Sequence, residues 1–327
     1  MTGGAEILHC LPATATLADA ADLVGRHLCP RILLVDEAGK AVGQIDEETV
    51  RLALCTEGRP HHALADRMQP LDGSLPLDDA GRPLPLDTGG DGTIPKGKGQ
   101  GITEALLMAG GFGTRLSPLT DNCPKPLLPI HGTPLLHRLL AQVAEAGIRR
   151  AHVSLHYLPE MVRESLKDFS QPDLEIDFLE ETDPLGTAGA MGMLPELASP
   201  ILVMNGDVLS EINLEAFFAW HLRHGNEVTM ATHLYEVHVP FGLAHFDTQL
   251  IRRLEEKPTL RLPVNAGIYV FQPGRLADVP KGRPWDMVTW LNRLSEKAQV
   301  GHFPIVEEWH DIGSLEAYQR LEGRTTP

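Results

Sequence analysis

The sequence predicts an α/β protein whose main domain is built on a mostly parallel sheet. Three observations predict it: short apolar segments recur from Glu104 onward, amphipathic helical patterns lie between them, and a glycine-rich turn follows the first segment directly. Strands that alternate with helices favour a parallel sheet with right-handed crossovers. The carboxyl ends of such strands are where we expect a ligand crevice.

The sequence pattern of the N-terminal part predicts a separate small α/β module. A chain of 327 residues favours two domains, since one domain commonly takes about 150 residues. Helical spacing covers 17–28, aliphatic strands cover 31–35 and 41–45, and polar residues 36–40 form a turn between the strands. We therefore expect a module over residues 1–70.

A glycine- and proline-rich segment predicts the boundary between the two domains. Of the 32 residues from 70 to 101, 13 are Gly or Pro, so we predict a linker over 71–101 and a main domain over 102–327. Residues 35–42 also resemble residues 77–84, at an offset of 42. A shortened tandem repeat and common turn chemistry both explain this echo, and the sequence leaves them open.

The main domain begins with a strand over 104–108 that leads into the glycine-rich turn. Next comes a helix, for which we predict Thr133 as the cap, Pro134 at the first position and Gly147 as the stop. Its apolar stripe consists of Leu135, Leu136, Leu139, Leu140 and Val143. Further buried strands are predicted over 151–155, 175–179 and 201–204.

Composition excludes several classes of partner. The 28 Lys and Arg residues against 44 Asp and Glu residues give a net charge of −16, which disfavours binding to a nucleic-acid backbone. No stretch approaches the roughly 18 apolar residues of a membrane span, and the first residues lack the pattern of a signal peptide. We expect a cytoplasmic protein that binds neither nucleic acid nor membrane.

The glycine-rich turn reads Ala109-Gly-Gly-Phe-Gly-Thr-Arg-Leu116, and Pro124-Lys125-Pro126 follows soon after. Missing side chains let backbone N–H groups approach phosphate oxygens, and flanking prolines leave Lys125 on a stiff segment. The turn is neither a Walker loop nor the dinucleotide fingerprint. The turn, with the cation Arg115 beside it, is compatible with phosphate binding but does not by itself specify a ligand.

The runs AGGFGTRLSPLT and PKPLLPIHGTPLL together resemble the signature of the sugar-1-phosphate nucleotidylyltransferases, over about residues 102–321. The resemblance implies a Rossmann-like, GT-A-like nucleotidyltransferase fold. It also implies a reaction of a nucleoside triphosphate with a sugar 1-phosphate that gives a nucleotide sugar and pyrophosphate. Catalytic roles fall to Arg115, Lys125 and Asp207. The nucleotide-binding residues that it implies are Ala109, Gly110, Gly111, Gly113, Thr114, Arg115, Lys125, Gly186, Thr187 and Ala188.

Two aspartates match the metal motifs of this family. Asp207 ends the strand Ile-Leu-Val-Met-Asn-Gly-Asp, and Asp311 lies in Trp-His-Asp-Ile-Gly. Carboxylates at the carboxyl edge of a sheet suit Mg²⁺, whose remaining ligands are phosphate oxygens and water. For each aspartate the alternative role is a helix cap, and Asp311 also precedes Ser314 and a helical stretch.

The resemblance implies that the sugar phosphate binds at three further segments of the chain. Gly242 admits the sugar ring, Glu256 accepts hydrogen bonds from its hydroxyls, Lys257 meets its phosphate, and Asn265 is a further hydroxyl partner. The alternatives are a solvated strand end for Glu-Glu-Lys-Pro and a bend for Asn-Ala-Gly.

The N-terminal module resembles one half of a cystathionine-β-synthase-type (CBS) pair, on residues 32–43 and the acidic helix start that follows. Where that family places a Thr and, three residues later, an Asp, this chain has Asp46 and Thr49. A carboxylate repels phosphate, so we expect packing or oligomerisation rather than adenosine sensing.

The expected function is sugar-1-phosphate nucleotidylyl transfer, with GTP as the donor. GTP is favoured by the resemblance of Gly186–Gly189 and by the CBS-like module, whose pairing with this domain resembles guanylyltransferases of bacterial nonulosonate-sugar pathways. The alternatives are a cytidylyl or uridylyl transferase for another phosphorylated acceptor and a catalytically silent nucleotide-binding regulator. The resemblance also implies symmetric oligomers, and the sequence leaves the sugar and the subunit number open.

Overall fold

The computed structural model describes residues 9–26, 29, 31–57, 63–71, 101–297 and 300–323. The chain divides into two compact units: the first comprises 1–93, 232–265 and 304–306, and the second comprises 94–231, 266–303 and 307–327. Residues 72–100, with most of the predicted linker and the second half of the internal echo, lie outside the described residues. No helix in the described part of the chain is long and apolar enough to span a membrane.

The N-terminal part of the first unit contains the predicted helix and the two strands that follow it, preceded by a strand over His9–Pro12 that was not predicted. Its elements are β1 (His9–Pro12), α1 (Leu17–Arg26), β2 (Arg31–Val35), β3 (Ala41–Asp46), α2 (Glu47–Glu57) and a 3₁₀ turn (Leu64–Arg67). A three-stranded sheet pairs β1 with β2 in parallel and β2 with β3 antiparallel. Apolar residues of α1 and β2, among them Leu17, Val24 and Ile32, form the core.

Helix α2 begins where the sequence departs from the CBS pattern. The Asp46 Oδ1 atom accepts a hydrogen bond of 2.6 Å from the Thr49 backbone N–H, so Asp46 satisfies an N–H group at the start of the helix. One turn later, Arg51 donates from Nε to Glu47 at 2.8 Å and from Nη1 to the Pro304 carbonyl at 3.0 Å, all within the first unit. The CBS resemblance and the domain boundaries remain predictions.

The second unit contains the predicted α/β core. Its first half has β4 (Glu104–Met108), β5 (Pro129–Ile130), β6 (Thr133–Pro134), α3 (Leu135–Glu145), β7 (Arg150–Leu155), α4 (Pro159–Ser165), β8 (Glu175–Glu180), β9 (Ile201–Asn205), β10 (Val208–Ser210) and α5 (Leu214–His224). The later elements are β11 (Val228–His238), β12 (Leu243–Asp247), β13 (Leu250–Glu255), β14 (Thr259–Phe271), α6 (Pro273–Leu276), α7 (Met287–Ser295), β15 (Val300–Pro304), β16 (Trp309–Asp311) and α8 (Leu315–Leu321). Of these, β12 and β13 lie in the first unit, and β11, β14 and β15 contribute residues to both.

The central sheet confirms the predicted α/β class. Its order is β15-β11-β14-β9-β4-β7-β8. The strands β9, β4, β7 and β8 are parallel neighbours, whereas β14 is antiparallel to β9. The parallel half brings the carboxyl ends of β4 and β9 side by side, with Met108 opposite Asn205.

The start of α3 differs from the prediction. Thr133 pairs with Ile130 in the two-stranded β5–β6 ladder, and α3 begins at Leu135 with Pro134 as N-cap and no side-chain cap. The residue before a proline disfavours helical torsion angles, so Thr133 stays extended. The five predicted stripe residues are buried, and Gly147 has the positive φ (91°) that ends the segment.

A buried histidine on α5 makes the stability of the second unit depend on pH. His221 contacts the Thr229 hydroxyl at 2.8 Å and the Gln272 amide at 3.1 Å, and burial lowers its pKa to about 4. Because the unfolded chain binds this proton near pH 6.5 and the folded chain does not, acid favours unfolding.

We expect the free energy of unfolding to fall by about 2 kcal/mol between about pH 7 and about pH 5 on account of His221. Urea denaturation across this range measures it. In the His221→Gln variant the corresponding slope should disappear; an unchanged slope would assign the pH dependence to other groups.

Candidate functional site

A pocket in the second unit opens where the parallel strands end. Its volume is about 280 Å³. Strands β4 and β9 supply its floor through Met108 and Asn205, and the glycine-rich turn supplies one wall through Ala109, Gly110, Gly111 and Phe112. The rest of the lining consists of Lys125, Pro126, Ser154, Glu181, Pro184, Leu185, Gly186, Thr187, Ala190, Gly206 and Asp207. The crevice therefore lies where the fold class predicts.

Glycines are required at two places around this pocket. Gly113 has a left-handed φ of 65°, and a Cβ there would come within 3.1 Å of the Lys125 Cβ. At Gly206 a Cβ would lie 2.6 Å from the Met108 carbonyl oxygen. These close approaches let the turn, the lysine segment and the end of β9 converge.

Lys125 and Asp207 form an ion pair at the pocket. The Lys125 Nζ atom lies 2.6 Å from Asp207 Oδ2, and the lysine side chain is only 9% exposed. Asp207 follows β9, and Lys125 begins a 3₁₀ turn directly after Pro124. The two residues that the motifs placed far apart in sequence are thus in direct contact.

Asp311 is brought to the same place by a short ladder. Strands β10 and β16 are antiparallel, with Val208 opposite Asp311, and the Ile312 N–H donates to the Asp207 carbonyl at 3.0 Å. The helix-cap alternative for Asp311 is wrong, because Ser314 caps α8 by accepting from the Ala317 N–H. A Cβ at Gly313 would lie 2.9 Å from the Asp311 carboxylate.

The two carboxylates repel each other electrostatically. Burial raises the pKa of the Asp311 carboxyl, and the negative charge of Asp207 raises it further. The positive charges of Lys125 and Arg115 act in the opposite direction. A divalent cation between the carboxylates would remove this repulsion. Among the described residues no cluster of three or more His, Cys, Asp or Glu side chains could hold a metal, so a cation here needs oxygens from a substrate or from water.

The predicted nucleotide-binding residues are distributed around the pocket. Ala109, Gly110, Gly111, Lys125, Gly186 and Thr187 line it. Thr114 and Arg115 lie in an exposed 3₁₀ turn, and Ala188 is fully buried in the apolar core. Ala190, which the motif did not single out, lines the pocket instead.

The segment from Leu185 to Ala188 is held against the start of α7. The Thr187 hydroxyl accepts from the Met287 N–H at 2.8 Å, and the Ala188 N–H donates to the Trp285 carbonyl at 3.0 Å. Gly186 has a φ of 74°, and a Cβ there would come within 3.0 Å of that same carbonyl oxygen. The backbone of this wall is therefore fixed before any ligand binds.

The residues expected to bind the sugar phosphate lie in the first unit. A Cβ at Gly242 would come within 3.3 Å of Glu256 Oε2, so these two residues are adjacent. Lys257 has a left-handed φ of 44°, and the Val239 N–H donates to the Pro258 carbonyl at 3.0 Å. Asn265 is exposed on β14.

Sequence reasoning missed Glu181, a carboxylate of the pocket wall. Glu181 is 9% exposed, and its Oε2 atom accepts from the Leu185 N–H at 3.0 Å. Its Oε1 atom lies beside Gly110, where a Cβ would come within 3.1 Å. Glu181 follows β8 directly, as Asp207 closely follows β9, so the rule that ligands bind at strand ends could have found it.

Comparison with known proteins decides the family. The sequence pattern of the nucleotidyl transferase family (NTP_transferase) matches residues 104–326. The chain belongs to this family. The resemblance drawn from the glycine-rich turn and the lysine segment is thereby confirmed.

Curated relatives include mannose-1-phosphate guanylyltransferases. The mannose-1-phosphate guanyltransferase of Schizosaccharomyces pombe is 31% identical over 226 residues, 66% of this chain and 62% of that protein. The mannose-1-phosphate guanylyltransferase catalytic subunit beta of Drosophila melanogaster is 34% identical over 220 residues, 64% of this chain and 59% of that protein. The chain thus spans about three fifths of the length of these relatives.

Solved structures support the fold. HddC from Yersinia pseudotuberculosis is 26% identical with a TM-score of 0.53, over 68% of this chain and 99% of that chain. HddC has also been solved in complex with GMP-PN. A glucose-1-phosphate thymidylyltransferase-like protein from Bacillus anthracis shares the fold at 18% identity, with a TM-score of 0.55 over 68% of this chain and 96% of that one.

Proposed function

We propose that this protein is a sugar-1-phosphate guanylyltransferase, which joins the GMP moiety of GTP to a sugar 1-phosphate and releases pyrophosphate. One observation carries the proposal: Lys125, Asp207 and Asp311 converge at a pocket lined by the glycine-rich turn. This arrangement supplies a cation, two carboxylates and open backbone N–H groups to a triphosphate. The guanylyltransferases among the relatives favour the same reaction class.

The reaction proposed is an in-line displacement. A phosphate oxygen of the sugar 1-phosphate attacks the α-phosphorus of GTP, a new P–O bond forms, and the bond to the departing pyrophosphate breaks. Lys125 offsets negative charge that develops on the α-phosphoryl oxygens, and Arg115 holds the leaving pyrophosphate. No protein nucleophile is needed, so catalysis rests on positioning and electrostatics.

Asp207 and Asp311 are the residues that we propose hold Mg²⁺. Carboxylate oxygens are the hard ligands that this ion prefers, and its positive charge would offset the repulsion between the two groups. When bound, Mg²⁺ would neutralise phosphate charge at the reacting centre. The 2.6 Å ion pair with Lys125 holds the Asp207 carboxylate in place.

Glu181 supports guanine as the base. The Watson–Crick edge of guanine carries two adjacent donors, N1–H and the 2-amino group, and a carboxylate accepts both. Uracil and thymine offer a single N–H between two carbonyl oxygens, which a carboxylate repels. Because Glu181 is 9% exposed and lines the pocket, a mismatched base would leave its charge poorly solvated.

Replacing Glu181 by Gln is expected to lower kcat/KM for GTP by about 10- to 100-fold, the loss of one bidentate base contact. The same variant should lose its preference for GTP over ITP, which lacks the 2-amino group. Pyrophosphate release with both nucleotides measures this. Glu180→Gln is the matched control, because Glu180 is exposed and pairs with Arg163; a GTP/ITP ratio unchanged in Glu181→Gln contradicts the assignment.

The overall activity is tested with a panel of GTP, UTP, CTP and dTTP against several hexose and hexosamine 1-phosphates, read by pyrophosphate release. Mannose 1-phosphate and sugar phosphates of nonulosonate pathways belong in the panel. Turnover with UTP or CTP alone would favour the cytidylyl or uridylyl alternative. Nucleotide binding without release in any pairing would favour a silent regulator.

For the N-terminal module we propose packing rather than adenosine sensing. The Asp46 carboxylate is engaged at the start of α2 and also accepts from the Gln69 amide at 3.1 Å. It would repel a phosphate placed there. Calorimetry of the full chain with AMP and ATP tests this, in the presence of saturating GTP; tight binding of either adenine nucleotide under these conditions would overturn the proposal.

A further inference from the structure

The exposed apolar residues of this protein are concentrated in one segment. Thirteen large hydrophobic residues are exposed in the described part of the chain, and seven of them lie between Tyr235 and Leu262. The four most exposed are Phe241, Phe246, Leu254 and Ile251, at 64–73% exposure. Apolar side chains scattered singly need no explanation, whereas a cluster marks an interaction surface.

The hairpin β12–β13 gathers three of these residues on one face. Ala244 pairs with Leu254, and Phe246 pairs with Ile251. Directly opposed residues of an antiparallel ladder project to the same side, and residues two apart on a strand share a face. The register shift between His245 and Phe246 keeps Ile251 on the side of Leu254. We call Ala244, Phe246, Ile251 and Leu254 the apolar hairpin face.

The other face of the hairpin carries the paired charged groups together with Leu243 and Leu250. Arg253 contacts Glu255 at 2.6 Å, and His245 contacts Glu255 at 3.1 Å. These charged groups are thus separated from the apolar hairpin face by the strand alternation. All four residues of the apolar hairpin face are exposed, whereas Leu243, His245 and Glu255 of the other face are partly covered.

The apolar hairpin face is expected to pack against another surface. The sheet that contains β12 and β13 has two strands among the described residues, and a two-stranded hairpin alone is only marginally stable in water. Each strand also has one edge outside the ladder, which offers backbone groups to a further strand. Packing of the apolar hairpin face against the same face of a second copy covers the exposed side chains and is symmetric about a two-fold axis.

We propose that the apolar hairpin face is the interface of a homodimer. The charge distribution favours a second copy. The whole chain carries −16, so two copies repel on average, but residues 243–255 contain two acidic and two arginine residues and are neutral. Copies can therefore meet here without local repulsion, whereas an anionic membrane surface would repel the protein as a whole.

Sedimentation velocity and light scattering of the full chain test the proposal. The wild-type protein is expected to dimerise in a concentration-dependent manner. The double variant Ile251→Ser/Leu254→Ser should weaken self-association by about tenfold or more, the size of effect that central interface residues produce. Val288→Ser is the matched control, because Val288 is 57% exposed on α7, outside the hairpin.

Hydrogen exchange of the wild-type protein gives a second test that needs no variant. Amides of residues 243–255 should exchange more slowly at high than at low protein concentration. A wild-type protein that stays monomeric at all concentrations overturns the proposal, as does a folded double variant with undiminished dimerisation. Wild-type monomers that bind phosphatidylcholine–phosphatidylglycerol vesicles through this hairpin would replace the second copy by a membrane surface.

Discussion

Replacing Asp207 by Asn is expected to lower turnover by about 100-fold or more, which is the typical loss for a group that stabilises charge at the reacting centre. The side chain keeps its shape and loses its charge. That change removes one of the two proposed Mg²⁺ ligands and the partner of Lys125 at 2.6 Å. Both losses are expected at the reacting centre, and the second also leaves the ammonium of Lys125 without its carboxylate partner.

Single-turnover pyrophosphate release at several Mg²⁺ concentrations measures the effect. We expect the apparent Mg²⁺ requirement to rise together with the fall in turnover, because Asp311 alone must then hold the ion with the substrate oxygens. Glu211→Gln is the matched control: Glu211 is exposed and lies four residues along the same segment. Turnover there should stay within about twofold of wild type, since isolated exposed carboxylates contribute little.

A folded Asp207→Asn protein with near-normal pyrophosphate release would remove Asp207 from the reaction. A structural role of Asp207 must be distinguished from a chemical one, because Lys125, whose side chain is 9% exposed, would lose its partner in the variant. If the variant only destabilised the pocket, KM for GTP would rise and kcat would be preserved. A fall in kcat at saturating GTP is the result that the electrostatic role requires.

The motifs predicted which residues gather at the pocket better than they predicted how those residues reach it. The glycine-rich turn and Asp207 could be predicted because ligand-binding residues lie at strand ends, whereas Lys125 was predicted from its flanking prolines and from the family resemblance. The approach of Asp311 to Asp207 depends on two three-residue strands, β10 and β16. Strands that short carry no readable period, so their pairing could not be predicted from periodicity.

Other features depend on contacts between distant parts of the chain. Glu181 acquires its place through Leu185 and Gly110; the strand-end rule points to Glu180 and Glu181 alike and does not decide which of them enters the pocket. Thr133 looked like a helix cap, but the ladder to Ile130 outweighed its local preference. The local sequence pattern thus predicted most of the helices and strands and the glycine-rich turn, whereas tertiary contacts decided which side chains meet.

The buried ion pair of α2 gives the largest stability effect that we expect. Arg51 is fully buried and Glu47 is 2% exposed, and their contact is 2.8 Å long. Arg51→Met removes the guanidinium that the buried carboxylate contacts, together with its hydrogen bond to the Pro304 carbonyl. Breaking such a pair from one side costs about 3–5 kcal/mol, mostly because the remaining charge stays in a poorly solvated place.

Hydrogen exchange of the α2 amides at increasing urea measures this loss within the first unit, without assuming that the whole chain unfolds in one step. Arg26→Met is the matched control, because Arg26 forms the same i, i+4 pair with Asp22 at 2.6 Å but is 71% exposed. Exposed pairs contribute about 0–1 kcal/mol. In the double variant Glu47→Gln/Arg51→Met the buried charge is gone, so much of the lost stability should return. Equal losses in Arg51→Met and Arg26→Met would show that burial of the pair does not determine its effect, because burial is the main difference between the two sites.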